Sequence, residues 1–274
     1  MKKMNFTKLA MVFALLTLFV TGCSSSTTTT DKVAKIKEAG VIKIGTNSGY
    51  PPYEFYLTED GKKELAGYDV DIANAVAKEL GVKVEWVDTD FDALVPSLMT
   101  DKFDIVLAGM VNTEERQKSI DFSDDYYDSE TVVVAPKDKI DEVKTAANLK
   151  GKKIVVQSGT TQVDAASAVE GATVNQLPSV TDTIANILSN QSDALFIAEV
   201  SAKNIVAQNS NLAYAKIEGV DEKLLKDGAA IGIKKGNDDL KTELNKIIKN
   251  LKDSGELDKM FIKNQKLAEN NKVS

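Results

Sequence analysis

Apolar positions along the chain alternate between two spacings. Short apolar or alternating runs predict strands at Val41-Ile42-Lys43-Ile44, Val82 to Val87, Asp104 to Ala108 and Ile154-Val155-Val156. Further runs predict strands at Thr173 to Leu177, Asp193 to Ile197, Leu212 to Ile217 and Ala229 to Ile233. Between them the spacing becomes helical. Asp69 to Leu80 reads as a helix closed by Gly81. Phe91, Leu94, Val95 and Leu98 share one helical face. Helices are also predicted over Thr161 to Val169, Val180 to Leu188 and Glu199 to Gln208. Leu240, Leu244, Ile247, Ile248 and Leu251 mark a strongly amphipathic helix near the end of the chain.

Strands alternating with helices predict an α/β fold with helices on both faces of a sheet. The series occurs twice, which suggests two lobes. Alternation alone would also allow two independent domains.

The N-terminus follows a different pattern. Lys2, Lys3 and Lys8 precede an apolar stretch from Leu9 to Val20, too short for a comfortable membrane span. Val20-Thr21-Gly22-Cys23 then resembles the site where a lipoprotein signal peptide is cut before a diacylated cysteine. An ordinary secretory signal with an incidental cysteine is the alternative. Cys23 is the only cysteine, so an internal disulfide is excluded. Ser24 to Thr30 is a polar, low-complexity run that reads as a tether.

The 274 residues are 43% hydrophobic and carry a formal charge of −7, enough for a sizeable core and unfavourable for a nucleic-acid partner. There is no histidine, which removes the commonest general acid–base from any enzymatic reading. No cofactor or metal is expected.

The most informative stretch is Ala108-Gly109-Met110-Val111-Asn112-Thr113-Glu114-Glu115-Arg116, running on to Ile120-Asp121-Phe122-Ser123. Gly109 lets the backbone turn closely. Asn112 with Glu115 three residues later makes a capping-box-like pattern and puts Arg116 in a first helical turn. A guanidinium beside free N–H donors suits a carboxylate. Spacing alone favours a solvated or structural arginine.

This block resembles the AG-(hydrophobic)-(S/T)-x-T-x-E-R…DFS segment of extracytoplasmic solute-binding proteins, family 3, the receptors of polar amino-acid ABC importers. The resemblance extends from about Val41 to Phe261. It implies a two-lobed, type II periplasmic-binding-protein-like fold. Two crossover strands, at Thr131-Val132-Val133-Val134-Ala135 and at Gly228-Ala229-Ala230-Ile231, would form a hinge with the ligand cleft between the lobes. The expected organisation is a signal peptide over 1–22, a lipidated tether over 23–38, a first lobe from 39–131 with 229–266, and a second lobe from 132–228.

The resemblance also implies a site for an amino-acid zwitterion, in which every buried charge must be paired. Arg116 would take the ligand α-carboxylate, helped by the Gly109 backbone. The segment Gln157-Ser158-Gly159-Thr160-Thr161-Gln162-Val163-Asp164 is similar to the family's SGT loop, with Thr160 or Thr161 reaching the same carboxylate and Thr161 capping a helix through Asp164. The family's ammonium-binding acid falls at Ala198, and the acid here is Glu199. Either Glu199 shifts into place or the Ala108 carbonyl and other groups serve. Tyr50, in Gly49-Tyr50-Pro51-Pro52-Tyr53-Glu54-Phe55, and Phe91 match the two pocket aromatics. Core packing is the other reading for both. Asn47 stands where relatives for cationic ligands carry Asp, which favours a neutral polar ligand, although Asn47 also suits a turn. Gln157 replaces an often basic residue, and Val111 replaces the usual hydroxyl.

The expected protein is therefore a monomeric, lipid-anchored receptor on the outer face of a bacterial cell membrane. It would close on an L-amino acid and deliver it to ABC permease subunits. A sensory or adhesive surface protein, or a dehydratase-like enzyme, is the rival reading.

Overall fold

The chain folds into two open sheets joined side by side, and the computed structural model describes residues 31–59 and 62–270. The first lobe begins with α1 (Lys32–Ala39), β1 (Val41–Thr46), a hairpin of β2 (Phe55–Glu59) and β3 (Lys62–Ala66), α2 (Tyr68–Leu80) and β4 (Lys83–Asp88). It continues through α3 (Leu94–Met99), β5 (Ile105–Val106), α4 (Glu114–Gln117) and β6 (Ile120–Phe122). Strand β7 (Tyr127–Pro136) leads into the second lobe, with α5 (Ala146–Leu149), β8 (Lys153–Gln157), α6 (Gln162–Ser167), β9 (Thr173–Leu177) and α7 (Val180–Leu188). There follow β10 (Ala194–Ala198), α8 (Glu199–Gln208), β11 (Leu212–Lys216) and α9 (Glu222–Leu225). The chain returns through β12 (Lys226–Ala229) to β13 (Gly232–Lys234), α10 (Asp238–Asp253) and α11 (Glu256–Asn270).

The first sheet has the order β4-β1-β5-β13-β6, with β1 parallel to β4 and β5, and β13 antiparallel to β5 and β6. The second has the order β11-β7-β10-β8-β9. Strands buried on both faces explain the uninterrupted apolar runs such as Ile154-Val155-Val156. Helix ends follow local chemistry. Gly81 closes α2 in the left-handed conformation, and the Ser179 hydroxyl accepts from the Asp182 N–H at the start of α7.

The hinge is a pair of antiparallel crossovers. Residues Tyr127 to Glu130 of β7 pair with Ala229 to Lys226 of β12. Thr131–Ala135, expected to make the outward crossing, instead lie inside the second sheet, where Thr131 to Val134 pair with Ala198 to Leu195. The crossing falls slightly earlier because β7 is a single ten-residue strand serving both purposes. The return is also not one strand. β12 ends at Ala229, and the Ala230 N–H bonds to the Met110 carbonyl in the first lobe.

Residues 32–38 were expected in the tether, yet α1 forms there and belongs to the first lobe. Asp31 caps it by accepting from the Ala34 N–H at 2.8 Å, and Ile36 is buried in the lobe's core beside Leu240 and Leu244. The helix α11 spans the hinge side. Phe261 stacks on Tyr127 with ring centroids 4.2 Å apart, and Gln265 donates to Asn204 of α8 at 3.2 Å. The signal segment, Cys23 and the run to Thr30 lie outside the described residues.

Candidate functional site

The cleft between the lobes closes over a cavity lined by Asn47, Tyr50, Glu54, Phe91, Gly109, Val111 and Arg116 from the first lobe. Gln157, Thr160, Thr161, Gln162, Val180, Thr183 and Leu195 to Ile197 line it from the second, and Asp227 from the returning hinge strand. The cavity measures ≈ 30 Å³ as space open to the centre of a water molecule, room for about two or three waters. An amino acid therefore enters by parting the lobes or displacing side chains.

Arg116 is the hub. It sits in the single turn of α4, which is capped by Thr113 and not by Asn112: the Thr113 hydroxyl accepts from the Arg116 N–H at 3.2 Å. Glu115 therefore completes no capping box with Asn112. Thr113 has the extended backbone an N-cap needs, and Asn112 instead accepts from the Gln117 amide at 2.7 Å. The guanidinium donates through Nη1 to the Val111 carbonyl at 2.7 Å and through Nη2 to the Gly159 carbonyl at 2.8 Å. It also lies 5.4 Å from the centroid of Phe91. Burial lowers its pKa to about 10 against the opposing pull of Asp227 and Asp164, so it stays charged at neutral pH.

The opposing loop is built as a close approach. Gly159 has φ +75°, and a Cβ there would come within 2.8 Å of Asp92 Cβ in the first lobe. Thr160 Oγ1 donates to the Gln157 carbonyl at 2.7 Å. Thr161 does not cap α6, because its backbone is already helical; its hydroxyl is buried in the cavity wall with no hydrogen-bond partner among the described residues. Gln157 donates to Asn47 Oδ1 at 2.8 Å and Asn47 donates to the Thr89 carbonyl at 2.9 Å.

Three expectations need correction. Glu199 is not in the cavity: as the first residue of α8 it faces outward and pairs with Lys203 at 3.1 Å, one helical turn on. Ala108 is fully buried in the first lobe's core and is absent from the cavity wall. Gly109 does line the cavity, but its N–H is committed to buried Asp69 at 2.8 Å.

Two acids that the sequence left unassigned line the cavity. Glu54 is fully buried, and neither of its carboxylate oxygens has a hydrogen-bond partner among the described residues. Its pKa is pushed well up, first by burial and then by the charges of Asp69 and Asp88. Glu54 lies in Gly49-Tyr50-Pro51-Pro52-Tyr53-Glu54-Phe55, where the resemblance rests on the aromatic residues and assigns the acid no role. Asp227 is also buried, and its carboxylate accepts from Gly228 N–H and from Gln162 Nε2. Burial raises it to about 6 against those bonds and the Arg116 charge.

Two α/β lobes on paired crossovers, with a guanidinium and two carboxylates enclosed where they meet, make a receptor that binds a small charged solute by closing. The chain belongs to the bacterial extracellular solute-binding proteins of family 3, whose family profile matches residues 42–265. It is 32% identical over 243 residues to a probable histidine-binding protein of Campylobacter jejuni, covering 85% of this chain and 93% of that one. It is 32% identical over 255 residues to the arginine-binding extracellular protein ArtP of Bacillus subtilis, covering 92% and 94%. Among solved structures, the substrate-binding protein AbpA of a Streptococcus pneumoniae amino-acid ABC transporter, bound to L-arginine, superposes with a TM-score of 0.83 at 32% identity, covering 87% of this chain and 100% of that one. The chain is thus the substrate-binding component of an amino-acid ABC importer, a carrier of solute and not an enzyme.

Proposed function

We propose that this receptor selects a cationic L-amino acid, arginine foremost, and hands it to its permease from a lipid anchor at Cys23. Glu54 carries the reading: a buried carboxyl with two unpartnered oxygens in the cavity wall is costly unless a cation meets it. Burial keeps Glu54 protonated until a cation meets it; once it ionises, the cavity wall carries two carboxylates against one guanidinium, which a ligand of net charge +1 balances. Asn47 no longer argues for a neutral ligand, because its amide is used between Thr89 and Gln157. Relatives named for arginine and histidine binding support the same class.

In this arrangement Arg116, with Thr160 and Thr161, takes the ligand α-carboxylate. Tyr50 and Phe91 flank the ligand, and Glu54 takes the cationic side chain. Closure follows because the ligand touches both lobes and so binds the closed form better. Calorimetric titration with arginine, lysine and glutamine tests the proposal, and glutamine binding more tightly than both cationic ligands would overturn it. Palmitate labelling that survives Cys23→Ser would overturn the anchor.

A further inference from the structure

The resemblance places the ammonium-binding acid at the end of β10, where this chain has Ala198, and the nearest acid in sequence, Glu199, faces Lys203 outside the cavity. A zwitterion gripped through its carboxylate still presents its ammonium at the same α-carbon, so a second buried anion is needed near Arg116.

Strand register shows where that anion comes from. Ala198 of β10 pairs with Thr131 of β7, and Asp227 of β12 pairs with Ser129 of the same strand. Directly paired residues point to the same face, as do residues two apart on one strand. Ala198, Thr131, Ser129 and Asp227 therefore share one face, and an acid on β12 reaches the region that an acid at position 198 would reach from β10. Gln162 holds it there, donating from Nε2 to both Asp227 Oδ2 and Thr131 Oγ1. The Asp227 carboxylate is in the cavity wall with Arg116 and is electrostatically coupled to it.

The geometry points to Asp227 as the anchor of the ligand α-ammonium, so that the acid has moved from the second lobe's sheet to the returning hinge strand. This rests on the cavity being the amino-acid site described above. The anchor is thereby tied to both lobes. β12 runs beside β7, and three residues after Asp227 the Ala230 N–H donates to the Met110 carbonyl of the first lobe. The ammonium then holds the crossover itself, while the carboxylate is held by Arg116 in the first lobe.

The test separates the amine from the rest of the ligand. Affinities of L-arginine and 5-guanidinopentanoate, which lacks only the α-amine, are measured by calorimetry for the wild type, Asp227→Asn and Glu54→Gln. L-glutamine and its deamino analogue glutaramate form a second pair. Removing the amine is expected to weaken binding to the wild type by roughly 30-fold or more, and to change little in Asp227→Asn. Glu54→Gln should keep the full amine effect. An amine effect of the same size in Asp227→Asn as in the wild type overturns the proposal, as does a wild type indifferent to the amine. A preference for glutamine over arginine would instead overturn the cationic reading, and the glutamine pair would still read Asp227. If Asp227→Asn does not fold, Asp227→Ser carries the same comparison.

Discussion

Gln157 in the second lobe donates from Nε2 to Oδ1 of Asn47 in the first, at 2.8 Å. A bond between lobes exists only when they are closed, so its energy bears on closure and not on the folding of either lobe. Asn47→Ala should weaken ligand binding by about 1 kcal/mol, or roughly fivefold, with little change in denaturation midpoint. Calorimetry beside urea unfolding checks this, and a loss of stability with unchanged affinity would assign the bond to folding.

Arg116→Ala should cost about 2–5 kcal/mol of amino-acid affinity, because the ligand carboxylate loses a buried partner. Arg116→Lys keeps the charge but loses the fork that reaches both Val111 and Gly159, so it should recover only part of the loss. Affinity unchanged in Arg116→Ala would remove the carboxylate from this end of the cavity.

Glu54→Gln should shift selectivity more than overall binding strength. Arginine affinity should fall by roughly 30-fold or more while glutamine is weakened far less. The same substitution removes a buried acid whose pKa is pushed well up, so the ligand-free variant should lose less stability than the wild type as pH rises. A competition assay with the two amino acids and thermal scans across pH are sufficient.

The raised acids have opposite effects on stability and on binding. Asp69 and Asp227 are both pushed up to about 6 by burial. The folded form therefore holds protons that the unfolded chain has already lost. Their contribution to the stability of the ligand-free protein is fully present below about pH 4 and is lost as pH rises through about 6. A cationic ligand prefers the ionised acid, so affinity should rise over the same interval, with protons released on binding. Titration in buffers of different ionisation enthalpy measures that release, and Asp227→Asn should reduce it. Proton uptake would reverse the assignment.

Gly109 has φ +55°, and a Cβ there would stand 2.8 Å from Tyr50 Cε1. Gly109→Ala should destabilise the protein by about 1–3 kcal/mol through backbone strain and should displace the Tyr50 ring. Chemical denaturation gives the first value. Full retention of both stability and affinity would show that the loop has room to move.

Periodicity located most elements because strands such as β8 and β10 are buried on both faces and helices such as α10 on one. It missed α1, whose Val33 and Ile36 are too few to make a pattern, and the hairpin β2–β3, whose Lys62 to Ala66 strand is polar and largely exposed. At the site, the residues carried by local motifs were legible: Arg116, the loop at Thr160 and Thr161, Tyr50 and Phe91 all reach the cavity wall. Glu199 was misread because proximity in sequence stood in for direction, and an i,i+4 lysine turned it outward. Asp227 was invisible for the converse reason. It enters the cavity through pairing across β7, a relationship between residues nearly one hundred positions apart that no local spacing records.

The two carbonyls held by Arg116 also bear on how fast a solute is caught. Two of its five N–H donors are already engaged, one with each lobe, and the bond to Gly159 joins the lobes that must part to admit a solute. Encounter alone is then insufficient for capture. The Gly159 contact must yield first, which places association below the collision limit and makes the strength of one arginine–carbonyl bond a setting for uptake rate as well as for affinity.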